Sequence, residues 1–522
     1  MRLPVAATTL LFISSCATPV PPAEDAGNAE QTVASTLTRA TTADGKYISW
    51  REHLIDTESV NGGVEIRGGD GLAMADLDGD GFQDVVSVHE DSAHIRIAFG
   101  SASPVEWTLM TLAQGDDAKA VEDVAIGDLN NDGRLDIIAA CEDGHLIYFE
   151  NPGEAAKKGP WPSIIPSITR GRGSWLRVFM ADMNGDGQLD ITAANKGSAD
   201  IVTDEQAAKT ASTTSLFVLD GPPLEQSSWR EQVLLRSGIA NTARPIDFDG
   251  DGDFDVLAAS RQDQTLFVLE NAGTSADGTV QINTHDVAID VPSDGDQELT
   301  AQTNAFMDDT TDLDGDGLVD LVLSAQLTPA DGGQPWLGLV WLRQPASFDE
   351  AWTLTKIGDT LPDWIAGLRL ADIDSDGDLD VITGGYSGLN ILVGAYSGAA
   401  RDHDDPSVTA SDSTGRIAWF ENPGNASGDW TRHDISRRVR GMFDGFIAQD
   451  LDGDGDLDMV ATRGNSGSHD GVFWLEQVRT DDPQRNFQPA NPNESRALPL
   501  PPENWIESYS GGETYAPPPN TE

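Results

Sequence analysis

Residues 75–86 read Ala-Asp-Leu-Asp-Gly-Asp-Gly-Phe-Gln-Asp-Val-Val. Oxygen-bearing side chains stand at positions 1, 3, 5 and 9 of a loop opened by Asp76, and a β-branched run follows. The pattern recurs six more times, opened by Asp128, Asp182, Asp247, Asp312, Asp372 and Asp450, at spacings of 52, 54, 65, 65, 60 and 78 residues. Repetition at such a period marks a repeat architecture. A second run follows each loop (HIRIAFG, HLIYFENPG, SLFVLDGPP, TLFVLENAG, LGLVWLRQP, RIAWFENPG, GVFWLEQV), several ending in Asn-Pro-Gly turn chemistry. A third element usually opens with tryptophan: Trp50, Trp107, Trp161, Trp229, Trp352 and Trp430, the copy near Val280 lacking it.

Each unit therefore holds four short strands, one before the loop, one after it, the aromatic run and the Trp-led run. Four-stranded units of this period predict propeller blades, and seven units predict an all-β, seven-bladed β-propeller. Trp50–Asp56 reads as a fourth strand that precedes the first loop, while the last unit ends near Glu476 without one. The N-terminal strand is thus expected to complete the last blade, which leaves no open sheet edge. The propeller is assigned to 46–478, residues 16–45 to a flexible tether rich in Ala, Thr, Pro and Glu, and 479–522 to a Pro-rich disordered tail.

The loops carry their own chemistry. The expected ligands are Asp76, Asp78, Asp80 and Asp84; Asp128, Asn130, Asp132 and Asp136; Asp182, Asn184, Asp186 and Asp190; Asp247, Asp249, Asp251 and Asp255; Asp312, Asp314, Asp316 and Asp320; Asp372, Asp374, Asp376 and Asp380; Asp450, Asp452, Asp454 and Asp458. Four such oxygens with a backbone carbonyl at position 7 can surround a hard cation, and the glycine at position 6 supplies the positive φ that folds the loop over it. Calcium suits this flexible oxygen cage better than magnesium, which demands a tighter octahedron. The expectation is up to seven structural calcium ions. The loops are flanked by strands, unlike those of an EF-hand.

These loops resemble the FG-GAP or VCBS repeats of integrin α-subunit propellers and of many bacterial surface proteins. The alternation of WFENPG with WTRHDI is also similar to repeats of aldos-2-ulose dehydratases. The resemblance implies a calcium-bound propeller; it implies adhesion or glycan binding in some members and carbohydrate elimination in others, so fold alone does not select the activity.

The chain has 32 Lys+Arg against 87 Asp+Glu, a formal charge of −55. Such a surface excludes nucleic acid, whose phosphates need a basic partner, and docking on anionic headgroups. The start, MRLPVAATTLLFISSCATPV, reads as an export signal over 1–15. Ile13-Ser14-Ser15-Cys16 resembles a bacterial lipobox, which implies lipid on Cys16 as the membrane anchor and, with Ala17 and Thr18 following, an outer-membrane or cell-surface lipoprotein. Cys141, in an apolar run, reads as inert core.

Blade topology puts the aspartate loops on one face and the 2–3 and 4–1 connections on the other. The long insertions at 195–214, 326–336 and 386–415 fall in 2–3 connections, and insertions gather on a binding face. Arg67, Lys119, Arg172, Lys196, Arg244, Arg261, Arg440 and Arg463 fall there too, and with Trp175 and Trp364 at the rim they are the candidate ligand set for an acidic glycan. The opposing expectation is that these arginines pair with neighbouring acids. His53 and His433 share one repeat position and read as structural, whereas His89 ends a second strand beside the channel. The leading functional expectation is a surface ligand-binding or adhesion module, with an acidic glycan or another surface protein as partner. The alternative is a carbohydrate lyase or dehydratase using His89 or Tyr386 as base and Arg261 as anion stabiliser.

Overall fold

The computed structural model describes residues 31–197, 212–293, 298–331, 335–361, 363, 365–387, 414–424, 426–439 and 441–500, with Asn304, Tyr386 and Ser387 described in backbone only. Seven antiparallel four-stranded units follow one another along the chain, two of them extended by a short parallel fifth strand, Ile289–Asp290 beside Trp352 and Phe487–Gln488 beside Trp50. Blade 1 is built from Gly69–Ala75, Asp84–His89, His94–Phe99 and Thr108–Gln114. Blade 2 uses Val121–Gly127, Asp136–Cys141, His145–Phe149 and Ser163–Ile164; blade 3 uses Ser174–Ala181, Asp190–Gly197, Thr213–Leu219 and Trp229–Leu235. Blade 4 runs from Ala240–Ile246 to Val280–Asp286, blade 5 from Leu299–Thr311 to Trp352–Gly358, and blade 6 from Gly367–Ala371 to Thr431–Val439. Blade 7 contributes Phe446–Gln449, Asp458–Arg463 and Gly471–Thr480. Its outer strand is Tyr47–Thr57, antiparallel to Gly471–Thr480 with Trp50 opposite Gln477. The first strand of each blade touches that of the next all the way round, from blade 7 back to blade 1, and these strands line the central axis.

One register repeats in every blade. The residue before the first loop aspartate pairs with the position-9 aspartate: Ala75 with Asp84, Gly127 with Asp136, Ala181 with Asp190, Ile246 with Asp255, Thr311 with Asp320, Ala371 with Asp380 and Gln449 with Asp458. The hairpin needs left-handed backbone at two places. Position 6 is glycine throughout, with φ from +84° at Gly133 to +98° at Gly252. Position 4 is also left-handed, and where glycine is replaced there, Asn131 and Ser375 take φ of +57° and +63°.

Side chains of neighbouring blades interlock into apolar clusters. One joins Val86, Ile97 and Phe99 of blade 1 to Ile137, Ile147 and Phe149 of blade 2. Another joins Trp419 of blade 6 to Phe473 and Leu475 of blade 7 and to Trp50 on its outer strand. Cys141 is fully buried in the first of these, and burial pushes its thiol up to about 12. Buried amides add a polar tie at the end of the third strand. Asn151 Nδ2 donates to Leu77 O of the preceding blade at 2.8 Å and to Leu135 O at 2.9 Å. Asn271 does the same to Met183 O at 3.0 Å, Gln344 to Phe248 O at 2.8 Å and Gln477 to Ile373 O at 3.0 Å. Asn151 of the first Asn-Pro-Gly run, read from sequence as a turn former, thus also fastens its blade to the loop of the one before.

Two expectations need correction. Residues 31–45, assigned to a flexible tether, and 479–500, assigned to a disordered tail, pack on blade 7 and on each other. Val33 N donates to Leu498 O, Leu37 bridges Arg485, and Phe487–Gln488 adds a parallel strand beside Trp50 and Arg51. Val33, Ala40, Phe487 and Leu498 are buried. Residues 31–45 are Thr- and Ala-rich and 479–500 polar and Pro-rich, and their few apolar residues suffice because the two cover the same blade together.

Between blades 5 and 6, Asp363 is buried under two arginines. Arg437 Nε donates to it at 2.7 Å, Arg416 Nη1 at 3.2 Å and Thr414 Oγ1 at 2.5 Å. These donors hold its carboxyl below the usual 3.8 against the opposing effect of burial. A folded-state value below the unfolded one contributes stability above about pH 3.8 and loses it as pH falls through the folded value. Asp363→Asn should therefore cost about 3–5 kcal/mol at pH 7, the scale for breaking a buried pair. Denaturant titrations should show the gap from wild type narrowing below pH 4, and a gap independent of pH would refute the assignment.

Candidate functional site

The aspartate loops are built as nested turns. In blade 1, Asp76 Oδ1 accepts the amides of Gly79 and Asp80, and Oδ2 accepts that of Gly81. Asp78 accepts from Asp80, and Asp80 from Phe82. The same pattern returns at Asp182, Asn184 and Asp186, and at Asp312, Asp314 and Asp316. It leaves carboxylate oxygens converging: one from each of Asp76, Asp78 and Asp84 lie within 4.8 Å of one another, as do those of Asp247, Asp249 and Asp251, of Asp312, Asp314 and Asp316, and of Asp372, Asp374 and Asp380.

Position 9 differs from the rest. Asp84 accepts Leu77 N and Gly100 N, each at 2.8 Å, so one carboxylate ties the loop to the third strand. Asp255 binds Phe248 N and Asn271 N, Asp320 binds Leu313 N and Gln344 N, Asp380 binds Ile373 N and Asn422 N, and Asp458 binds Leu451 N and Gln477 N. Asp136 binds Asn151 N and the Tyr148 hydroxyl, and Asp190 binds Met183 N. All seven are buried. Desolvation is the leading effect on each and raises Asp84, Asp190, Asp255 and Asp458 to about 7 and Asp380 to about 8, while the amide donors and, for Asp136, the tyrosine pull the other way. A sequence reading that treats position 9 as one more ligand misses this first duty. The β-branched run after it was the available signal, because it places position 9 inside a strand.

Basic side chains already reach some loops. Lys157 of blade 2 pairs with Asp78 and Asp80 of blade 1, and Arg343 contacts Asp314 at 2.5 Å and Asp316 at 2.8 Å.

On the opposite face, the expected arginine set is held by acids. Arg67 contacts Glu58 at 2.6 Å, Lys119 contacts Asp143 at 2.5 Å, and Arg172 pairs with Glu231. Lys196 contacts Glu142 at 2.5 Å, Arg244 contacts Asp308 at 2.8 Å, and Arg463 lies between Glu52 and Glu494 at 3.1 and 2.8 Å. Arg261 donates to Asn241 Oδ1 at 2.7 Å and lies over the Phe306 ring. Trp175 is fully buried among Tyr148, Phe217 and Trp229 and is core, not rim, because its indole N–H reaches Thr169 O inside the sheet packing. Trp364 and Arg440 lie outside the described residues, as does the Tyr386 side chain. His89 is fully buried, and desolvation drives its pKa down to about 3. Its Nε2 sits 3.1 Å from Ser87 Oγ, so it cannot meet a ligand at the channel. His53 and His433 stack on Trp474 and Trp419 and contact Glu476 and Glu421, the structural role expected of them.

The mouth of the channel on this face is acidic. Asp70 and Glu122, on the first strands of blades 1 and 2, meet Glu90 with one oxygen each inside a 4.8 Å group. Desolvation, then repulsion from Glu142 and Glu90, raises Glu122 to about 8; desolvation, then Glu142 and Asp91, raises Glu90 to about 7. Asp444 of blade 7 adjoins Asp70, whose carboxyl is raised well above 3.8 by burial first and by Glu122, Asp444 and Glu90 after it. Among the described residues, this rim is therefore not the positive field that counting arginines suggested.

Three stretches, 76–139, 128–193 and 312–383, match the family model described as FG-GAP-like repeat. No curated protein matches the chain. Solved structures similar to it include a BBS1N chain crystallised with ARL6DN and soaked with mercury (9% identity, covering 79% of this chain and 93% of that one, TM-score 0.39). Others are YCF48 from Cyanidioschyzon merolae (9%, 82% and 98%, 0.41) and Sqt1 from Saccharomyces cerevisiae (8%, 84% and 100%, 0.39). The chain is a seven-bladed β-propeller in which three stretches match the FG-GAP-like repeat.

Proposed function

We propose that this chain is an exported, calcium-stabilised propeller that binds a ligand at the cell surface, anchored by lipid on Cys16. The observation that carries the reading is the sevenfold recurrence of one carboxylate loop on one face of the ring. The donor set fits a hard cation: it offers oxygen only, the oxygens converge, and at blades 1 and 5 a lysine and an arginine already lie against them. Asp, or Asn at 130 and 184, in positions 1, 3 and 5 would hold calcium in each loop, with the buried position-9 carboxylate behind them; the ion would supply charge neutralisation and hairpin rigidity.

Ligand recognition is assigned to the face that carries the long insertions, with a surface protein or an acidic glycan as partner. The acid partners of Arg67, Arg172, Arg244 and Arg463 favour a protein or a mixed polar ligand over a strongly anionic glycan. Burial of His89 favours binding over the lyase alternative, which needs an accessible base.

Two outcomes are expected. Calcium binding to the folded state alone adds about 2.7 kcal/mol per site at a hundredfold excess over Kd. Removing divalent ions should thus lower Tm by many degrees and restoring calcium should recover it; a melting curve unmoved by ion loss, verified by elemental analysis, would contradict the reading. Cys16→Ala should leave the precursor unprocessed or release the protein from the membrane fraction, and normal processing with membrane retention would refute the anchor.

A further inference from the structure

The acidic group at the channel mouth is separate from the seven loops. Asp70 opens the first strand of blade 1, Glu122 holds the matching place in blade 2, and Glu90 follows the second strand of blade 1. The three bring one carboxylate oxygen each to within 4.8 Å of one another. Repulsion at that distance is severe in a desolvated setting, and burial of like charges is tolerated only with compensation. The compensation present is partial. Lys196 contacts Glu142 at 2.5 Å and also acts on Glu90, and Arg177, 3.5 Å from Asp123, acts on Glu122 and Asp444 as well, but neither forms an ion pair with Asp70.

A second observation bears on what fills the gap. Asp70 is only 6% exposed, yet its Oδ2 receives no hydrogen bond. Its near neighbours are the carboxyls of Glu122, Glu90 and Asp444, the last within hydrogen-bond reach of it, a contact that needs a proton or a cation between the two. A buried acceptor facing only other acceptors lacks a positive partner. Crowding of the backbone keeps the group in place: a Cβ on Gly71 would meet Asp123 Cα at 2.7 Å, and one on Gly445 would meet Leu72 Cβ at 3.0 Å. Neither glycine can carry a side chain that would push blades 1, 2 and 7 apart, so the three first strands close on one point.

We infer that Asp70, Glu90 and Glu122 hold a hard divalent cation at the mouth of the central channel, with Asp444 beside it. Hard carboxylate oxygen ligands suit calcium or manganese and not a thiophilic metal. The ion ties blade 1 to blade 2 at the axis, on the face opposite the aspartate loops. It also gives an otherwise acidic mouth one positive centre, to which an oxygen-bearing ligand can bind.

The test uses the full chain and manganese alone, after removal of all other divalent ions. Wild type and the Asp70→Asn/Glu122→Gln double variant are compared for manganese bound per chain at equilibrium. The variant should bind one ion fewer, with its loop ions unchanged. Equal binding by two folded proteins would overturn the inference and leave a proton shared between Asp70 and Asp444 as the compensation. Anomalous scattering from wild-type crystals grown with manganese decides the matter if the variant does not fold. A peak between Asp70, Glu90 and Glu122 supports the site, and peaks in the loops with none at the mouth refute it.

Discussion

Every blade hangs on one buried carboxylate. The position-9 aspartate starts the second strand, and in five blades it accepts one amide from its own loop and one from the end of the third strand. An eight-residue polar loop thereby gains a fixed shape from inside the sheet, before any ion is considered. The cost is a desolvated charge, visible as carboxyls raised to about 7 or 8. Loop cations and position-9 aspartates are thus parts of one device: amide donors fix the carboxylate, and positive charge outside offsets what burial costs.

From that tie the ring follows. Because the third strand ends at a fixed place, its terminal amide side chain meets the preceding blade's loop carbonyl, as Asn151 meets Leu77 and Gln344 meets Phe248. The contact is made by blades 2, 4, 5 and 7 and joins them to their neighbours on the loop face, while apolar clusters join the blades in between. At blade 7 the strand Tyr47–Thr57 closes the ring against Gly471–Thr480, and segments beyond the propeller's expected limits cover it. Net charge of −55 would oppose so compact a form, but the two faces treat it differently. One face presents open carboxylates to solvent. The other pairs its acids with arginines, leaving a residual acidic point at the axis.

The fold was legible in the sequence because one loop recurs with invariant internal spacing, and the strand order followed from which runs precede and follow it. Left-handed backbone at position 6 was legible from glycine; at position 4 it was hidden by Asn131 and Ser375, which pay a modest cost there. The arginines of the far face are legible in the sequence, and of the two expectations for them pairing with acids is the one the structure supports. Which acid folds against each is not legible, because partners such as Asp308 and Glu52 are distant in the chain. Glu52 and Glu494, which hold Arg463, are 411 and 31 residues away from it. Asp70, Glu90 and Glu122 went unnoticed for the same reason: each is ordinary in its own blade, and only ring closure brings them together. His89 is placed beside the channel by its strand position, but every residue of Asp84–His89 is buried, so a strand end there offers no exposed side chain.

The central claim is that position 9 supports the fold in its own right while positions 1, 3 and 5 serve the cation. Denaturant unfolding of Asp255→Ala and Asp251→Ala, each with calcium and after its removal, separates the two. Asp255→Ala leaves Phe248 N and Asn271 N without an acceptor and should lose several kcal/mol in both conditions, at about 1–3 kcal/mol per buried group. Asp251→Ala removes an exposed carboxylate and should lose stability only with calcium present. Equal losses in the two variants, or an Asp255→Ala protein as stable as wild type without calcium, would contradict the account.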